Sequence, residues 1–112
     1  MVNQMELKQL QEKITNIFLS NLKRDKIKVN DDYLILKLTE ELGEFVQSYV
    51  VHNKKCRPEK YLPPDKSKKE MAKELSDVIG LVFVISTVLK IDIEEALIKK
   101  WITREWIKKE IS

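Results

Sequence analysis

Two acidic strings, Glu40-Glu41-Leu42-Gly43-Glu44 and Glu74-Leu75-Ser76-Asp77, carry the residues in this chain best suited to chemistry. In each, carboxylates stand three residues apart, which on a helix brings them to one face. Two such pairs on neighbouring helices would gather Glu41, Glu44, Glu74 and Asp77 in one small volume. Like charges that close resist ionising together unless something positive sits among them. The economical occupant is a hard divalent cation with oxygen ligands, of the kind that meets substrate phosphates. Asp77 is followed at once by Val78, Ile79, Leu81 and Val82, where an unpaired carboxylate would be costly to bury.

The elements that must position these acids are helices. The chain has 112 residues, with 43% hydrophobic and 35% charged positions but only two Gly and three Pro. This is one domain, residues 1–112, too apolar for disorder and too poor in turn residues for an all-β fold. Apolar periodicity predicts helices over about 3–22, 31–52, 67–90 and 92–109, with a Pro-rich loop at 53–66. Asn30 offers a cap for the second helix, Ser67 with Glu70 a capping box for the third, and Asp92 a cap for the fourth. The fold class is therefore all-α, a four-helix bundle-type domain. Leu75 to Leu89 is apolar around nearly its whole circumference, so a core completed by oligomerisation, as a homodimer or homotetramer, is expected. Trp101 and Tyr49, at helical spacing, are expected in that core.

An antiparallel pairing of the second and third helices sets the two acidic pairs at similar heights. Glu44 lies roughly 12 Å of rise before the end of one helix, and Glu74 roughly 11 Å after the start of the next. Packed neighbours lie about 8–10 Å apart, a gap that carboxylates can span. The only histidine, His52, has no acid three residues before it, and His and Cys are the usual zinc ligands. All-carboxylate ligation points to Mg²⁺, with Mn²⁺ as the alternative.

Bulk properties limit the other classes. A net charge of +3 from 21 basic and 18 acidic residues gives no concentrated basic face for a nucleic-acid polymer. The longest apolar run, Val78 to Leu89, is shorter than the roughly 20 residues a membrane span needs. One cysteine, Cys56, and an N-terminus without a signal-peptide pattern suit the cytoplasm.

The run Leu38-Thr39-Glu40-Glu41-Leu42-Gly43-Glu44, with Glu74-Leu75-Ser76-Asp77-Val78-Ile79, resembles the MazG-type nucleotide pyrophosphohydrolases of the all-α NTP pyrophosphatase superfamily. Their signature is E-x-x-E followed, after a loop, by E-x-x-D, and the likeness spans roughly residues 31–100. The resemblance implies a Mg²⁺-dependent hydrolase that splits a nucleoside triphosphate between the α- and β-phosphates into monophosphate and pyrophosphate. It places the metal ligands on Glu41, Glu44, Glu74 and Asp77 and a functional lysine on Lys100. It also implies helical dimers or tetramers built around the site.

Proton transfer from the attacking water falls to Glu40, Glu41 or Glu44, among which the sequence does not choose. Lys54, Lys100 and Arg104 are the candidate substrate-binding cations, and Tyr61 in the Pro-rich loop is a candidate lid residue. Arg104 stands where many members of the resembled family carry Asn, and Ile107 where an Arg is usual. That departure supports an alternative reading, a catalytically decayed helical dimer serving as an interaction module. The retained acidic quartet argues against it.

Overall fold

A computed structural model describes residues 5–107, and every regular element in that span is helical. α1 (Leu7–Arg24), α2 (Asp31–His52) and α3 (Pro64–Val88) are long; α4 (Ile93–Leu97) is a short helix that passes into a π turn, Ile98–Ile102. The expected positions 3–4 and 108–109 lie outside the described residues.

Local chemistry sets the boundaries. Asn30 accepts a hydrogen bond from the Tyr33 N–H at 2.8 Å, and Asp92 accepts one from Glu95 at 3.0 Å, each side chain satisfying an orphan donor in the first turn. The start of α3 departs from expectation. It begins at Pro64 rather than 67, because a proline in the first turn has no N–H to satisfy and a preset φ. Ser67 is then inside the helix and buried, its Oγ donating to the Pro64 carbonyl at 3.1 Å and lying 2.7 Å from His52 Nδ1. That contact ties the end of α2 to the start of α3 across the loop.

Three helices end without glycine. Lys26, Lys54 and Lys90 take φ of 59°, 56° and 59°, and the next residue's N–H reaches back to Leu22, Val50 or Ser86. This is the Schellman closure with lysine in the left-handed position. The expected single helix over 92–109 is corrected here. The π turn ends at Ile102, and Arg104, at φ 58°, turns the backbone left-handed before residues 105–107 resume a helical course.

The core is small. Leu34 of α2 packs with Leu81 and Val84 of α3, and Phe18, Leu19, Val29 and Leu38 close around them. α2 and α3 share the largest interface, and α1 lies on α3. The α1–α3 contact includes a polar seam in which Gln11 donates to the Phe83 carbonyl and to Thr87 Oγ1, which lies 3.3 Å from Thr15 Oγ1.

Much apolar surface stays open on one chain. Ile35, Leu42, Val46 and Tyr49 of α2 are exposed, as are Leu75 and Ile79 of α3. Trp101 is 68% exposed and Tyr49 54%, so neither joins the core of the single chain as the sequence led one to expect. The inward side of α2 runs through Leu34, Leu38, Glu41, Phe45 and Ser48, leaving Tyr49 on the far side. No helix among the described residues is long and apolar enough to cross a membrane.

Candidate metal centre

The seam between α2 and α3 turns from apolar to acidic one helical turn beyond the core. Glu41 and Glu44 project from α2 and Glu74 from α3, and one carboxylate oxygen of each lies within 4.8 Å of the others. The α2–α3 interface makes this closeness unavoidable. The core residues Leu34 and Leu81 fix the register of the two helices, and Glu41 is seven residues after Leu34 while Glu74 is seven before Leu81. Two turns of helix return each residue to the seam.

Two oxygens in the cluster, Glu41 Oε2 and Glu74 Oε2, are buried without a hydrogen-bond partner. Burial, and then the Glu44 carboxylate, hold Glu41 above the ordinary carboxylate value of 4.5, against the opposing pull of Lys37. Burial raises Glu74 likewise, followed by the charges of Glu44 and Asp77. Lys37 Nζ lies 3.2 Å from Glu40 and 3.5 Å from Glu41. Burial works to lower its pKa, but the bond to Glu40 and the charges of both glutamates carry it above the ordinary value. One ammonium is thus spread over two carboxylates, and the inner face of the cluster is left anionic.

Such a donor set fits a hard cation. It offers carboxylate oxygens only, at least two of them desolvated and unpaired, spaced so that a single ion could reach all three residues. Asp77 stands slightly apart. It is exposed rather than buried among Val78 and its neighbours, because it faces an open cavity between α1 and α3. Its charge still reaches Glu41 and Glu74. Glu40 is exposed and held by Lys37, outside the trio.

Clefts flank the cluster. One, about 330 Å³, has Glu41 and Asp77 at its mouth and Ile14, Phe18 and Asn21 of α1 with Gly80 of α3 as walls. The other, about 480 Å³, carries Glu44 and Glu74 with Gln47, Ser48, Glu70 and the loop residue Leu62. The α1 wall escaped the reading of the sequence, which began its family resemblance at residue 31. Ser76 and Gly80, small residues four apart on α3, were the available signal, since a Cβ at Gly80 would already lie 3.5 Å from Ile14.

The three cationic candidates lie elsewhere. Lys54 Nζ sits 5.8 Å from the Tyr61 ring centroid and Lys100 Nζ 6.0 Å from that of Trp101, while Arg104 is exposed at the chain's left-handed break. Among the described residues, neither cleft beside the acids is lined by any of them. Tyr61 donates from its hydroxyl to the Lys54 carbonyl at 3.4 Å, so it closes its own loop.

Comparison with curated proteins and with solved structures gives no match. The family model of the MazG nucleotide pyrophosphohydrolase domain matches residues 29–106, which takes in α2, α3, the carboxylate cluster and α4. The acids on the α2–α3 seam and a match over most of the chain lead to one conclusion: this chain belongs to the MazG nucleotide pyrophosphohydrolase domain family.

Proposed function

We propose that the chain is a Mg²⁺-dependent nucleoside triphosphate pyrophosphohydrolase, with Mn²⁺ as an alternative ion, releasing a nucleoside monophosphate and pyrophosphate. The observation that carries this reading is the pair of buried, unpartnered oxygens on Glu41 and Glu74 within a three-carboxylate cluster. Glu41, Glu44 and Glu74 would hold the ion, with Asp77 completing the set from the cavity side. Bound there, the cation would neutralise phosphate charge and polarise the attacking water.

The residues of the chain do the rest. A water oxygen bonds to the α-phosphorus as the bridging bond to the β-phosphate breaks, and pyrophosphate leaves. The water's proton passes to a carboxylate of the Glu40, Glu41 and Glu44 run. The cavity walled by Ile14, Phe18 and Asn21 suits the nucleoside, offering apolar faces and one amide for a base edge. Lys54, Lys100 and Arg104 remain candidate phosphate contacts that a second copy or a moved loop would have to deliver.

The exposed apolar faces of α2 and α3 support a homodimer or homotetramer, and the lone cysteine a cytoplasmic setting. The decayed-module alternative draws on Arg104, but a decayed site would gain stability by losing the unpaired acids it still keeps. The test is a Mg²⁺-dependent assay over a nucleotide panel, with products resolved by chromatography. Monophosphate and pyrophosphate are expected. Diphosphate with orthophosphate, or no turnover of any nucleotide, overturns the proposal.

A further inference from the structure

A third groove, about 300 Å³, lies at the start of α3 and is lined by Leu62, Lys66, Lys69, Glu70 and Lys73. Leu62 and Glu70 also line the cleft that holds Glu44 and Glu74, so the two hollows share a wall. At 100° per residue, Lys66, Lys69 and Lys73 fall on one side of α3, and that side continues through Asp77 and Gly80. Along a single helix face the order is therefore three lysines, then the carboxylate cluster, then the α1-walled cavity. Lys73 is held over the groove by Glu70, its Nζ 3.2 Å from the carboxylate, which offsets one of the three charges. Lys37, the other ammonium beside the cluster, is already committed to Glu40 and Glu41.

A polyphosphate approaching an acidic cluster needs positive charge beyond what one bound cation supplies, and it needs it on the side away from the nucleoside. We infer that the Lys66–Lys69–Lys73 groove binds the pyrophosphate end of the substrate, so that the nucleoside points toward α1 and the leaving group toward the start of α3. This rests on the pyrophosphohydrolase reading above. Ammonium groups on a helix can follow a chain of phosphate oxygens without fixed geometry, and charge-assisted hydrogen bonds of this kind are strong but salt-sensitive. The lysines are exposed, so their replacement spares the core.

The test compares wild type with K66Q/K69Q/K73Q and with K13Q/K23Q/K28Q, which loses equal charge on α1 and the segment after it. Inorganic pyrophosphate with Mg²⁺ is titrated calorimetrically into each protein, and pyrophosphate inhibition of nucleotide hydrolysis is measured in parallel. The groove variant should bind pyrophosphate at least about tenfold more weakly, with nucleoside monophosphate affinity and helicity unchanged. The α1 control should bind it as wild type does. Equal pyrophosphate affinity in the groove variant, equal losses in both variants, or no pyrophosphate binding by wild type would each overturn the inference. The readouts separate it from the parent proposal. Hydrolysis with unaltered pyrophosphate affinity in the groove variant removes the groove and leaves the function. Groove-dependent pyrophosphate binding without hydrolysis removes the function and leaves the groove.

Discussion

Replacing Glu74 with glutamine should move stability in opposite directions with and without a divalent cation. Glu74 has a buried oxygen without a partner, makes no ion pair among the described residues, and lies within 4.8 Å of the Glu41 and Glu44 ligand atoms. Glutamine keeps its shape, removes one of three crowded charges, and adds an amide that can donate to Glu44. In a chelator the variant should therefore unfold at a higher temperature than wild type.

Added Mg²⁺ should reverse the order. A ligand at a hundred times its dissociation constant stabilises the folded state by about 2.7 kcal/mol. Loss of a direct ligand should weaken affinity by at least the roughly hundredfold seen when supporting residues are removed. The same cation concentration then contributes only about 0.4 kcal/mol. At about 4 °C per kcal/mol or slightly more for a domain of this size, wild type should rise by roughly 10 °C and the variant by 1–2 °C. Differential scanning fluorimetry in chelator and across a Mg²⁺ titration reads both arms. A variant that is no more stable than wild type in chelator, or that responds to Mg²⁺ as wild type does, would refute the reasoning.

Because Glu41 and Glu74 titrate above the ordinary value of 4.5 in the folded chain, the stability they lend is present below that pH and lost as pH rises through their folded values. In chelator, the stability of wild type relative to Glu74→Gln should fall as pH rises from about 4.5, whereas Mg²⁺ stabilisation should grow, since protons compete with the ion; a flat difference in chelator counts against it. Lys90→Gly should stabilise the fold by about 0.5–1 kcal/mol in urea unfolding, since lysine at φ 59° bears a steric cost that glycine lacks, less glycine's own entropy. Light scattering should report at least twice the 13.2 kDa chain mass, and Ile79→Asp, at an exposed position of α3, should halve it without loss of helicity; a monomeric wild type at micromolar concentration would exclude the assembly.

The sequence shows the fold class and the carboxylate trio for the same reason: both depend on helical periodicity, and the long α2 and α3 obey it. Seven-residue offsets tie Glu41 to Leu34 and Glu74 to Leu81, so whatever buries the leucines aligns the acids. Where periodicity is broken by backbone conformation, legibility fails. Nothing in Arg104 as a residue type announces φ 58°, and the expected helix to 109 breaks there. Asp77 misleads for a different reason. Its apolar successors suggest burial, and Leu81 and Val84, four and seven residues on along the same face, are indeed buried; at the level of Asp77, however, that face opens into the cavity walled by α1. Tyr49 and Trp101 fail because periodicity marks an apolar face without saying what covers it.

The placement of the trio on the α2–α3 seam has a consequence for how binding and folding are linked. The two helices meet through a short apolar core at one end, around Leu34 and Val84, and through the Ser67–His52 contact at the other. Between these lies the acidic stretch, where mutual repulsion works against the pairing of the helices. An ion held there would join a carboxylate of α3 to two of α2 and turn the weakest stretch of the seam into a cross-link. α1 meets the seam at its apolar end, where Phe18 and Leu19 pack against the Leu34, Leu81 and Val84 core, and it walls the cavity beside Glu41 and Asp77. On the proposed hydrolase reading, the acids of α2 and α3 would hold the phosphates through the ion and the α1 wall would meet the nucleoside, a division of labour that follows from which helices carry the acids.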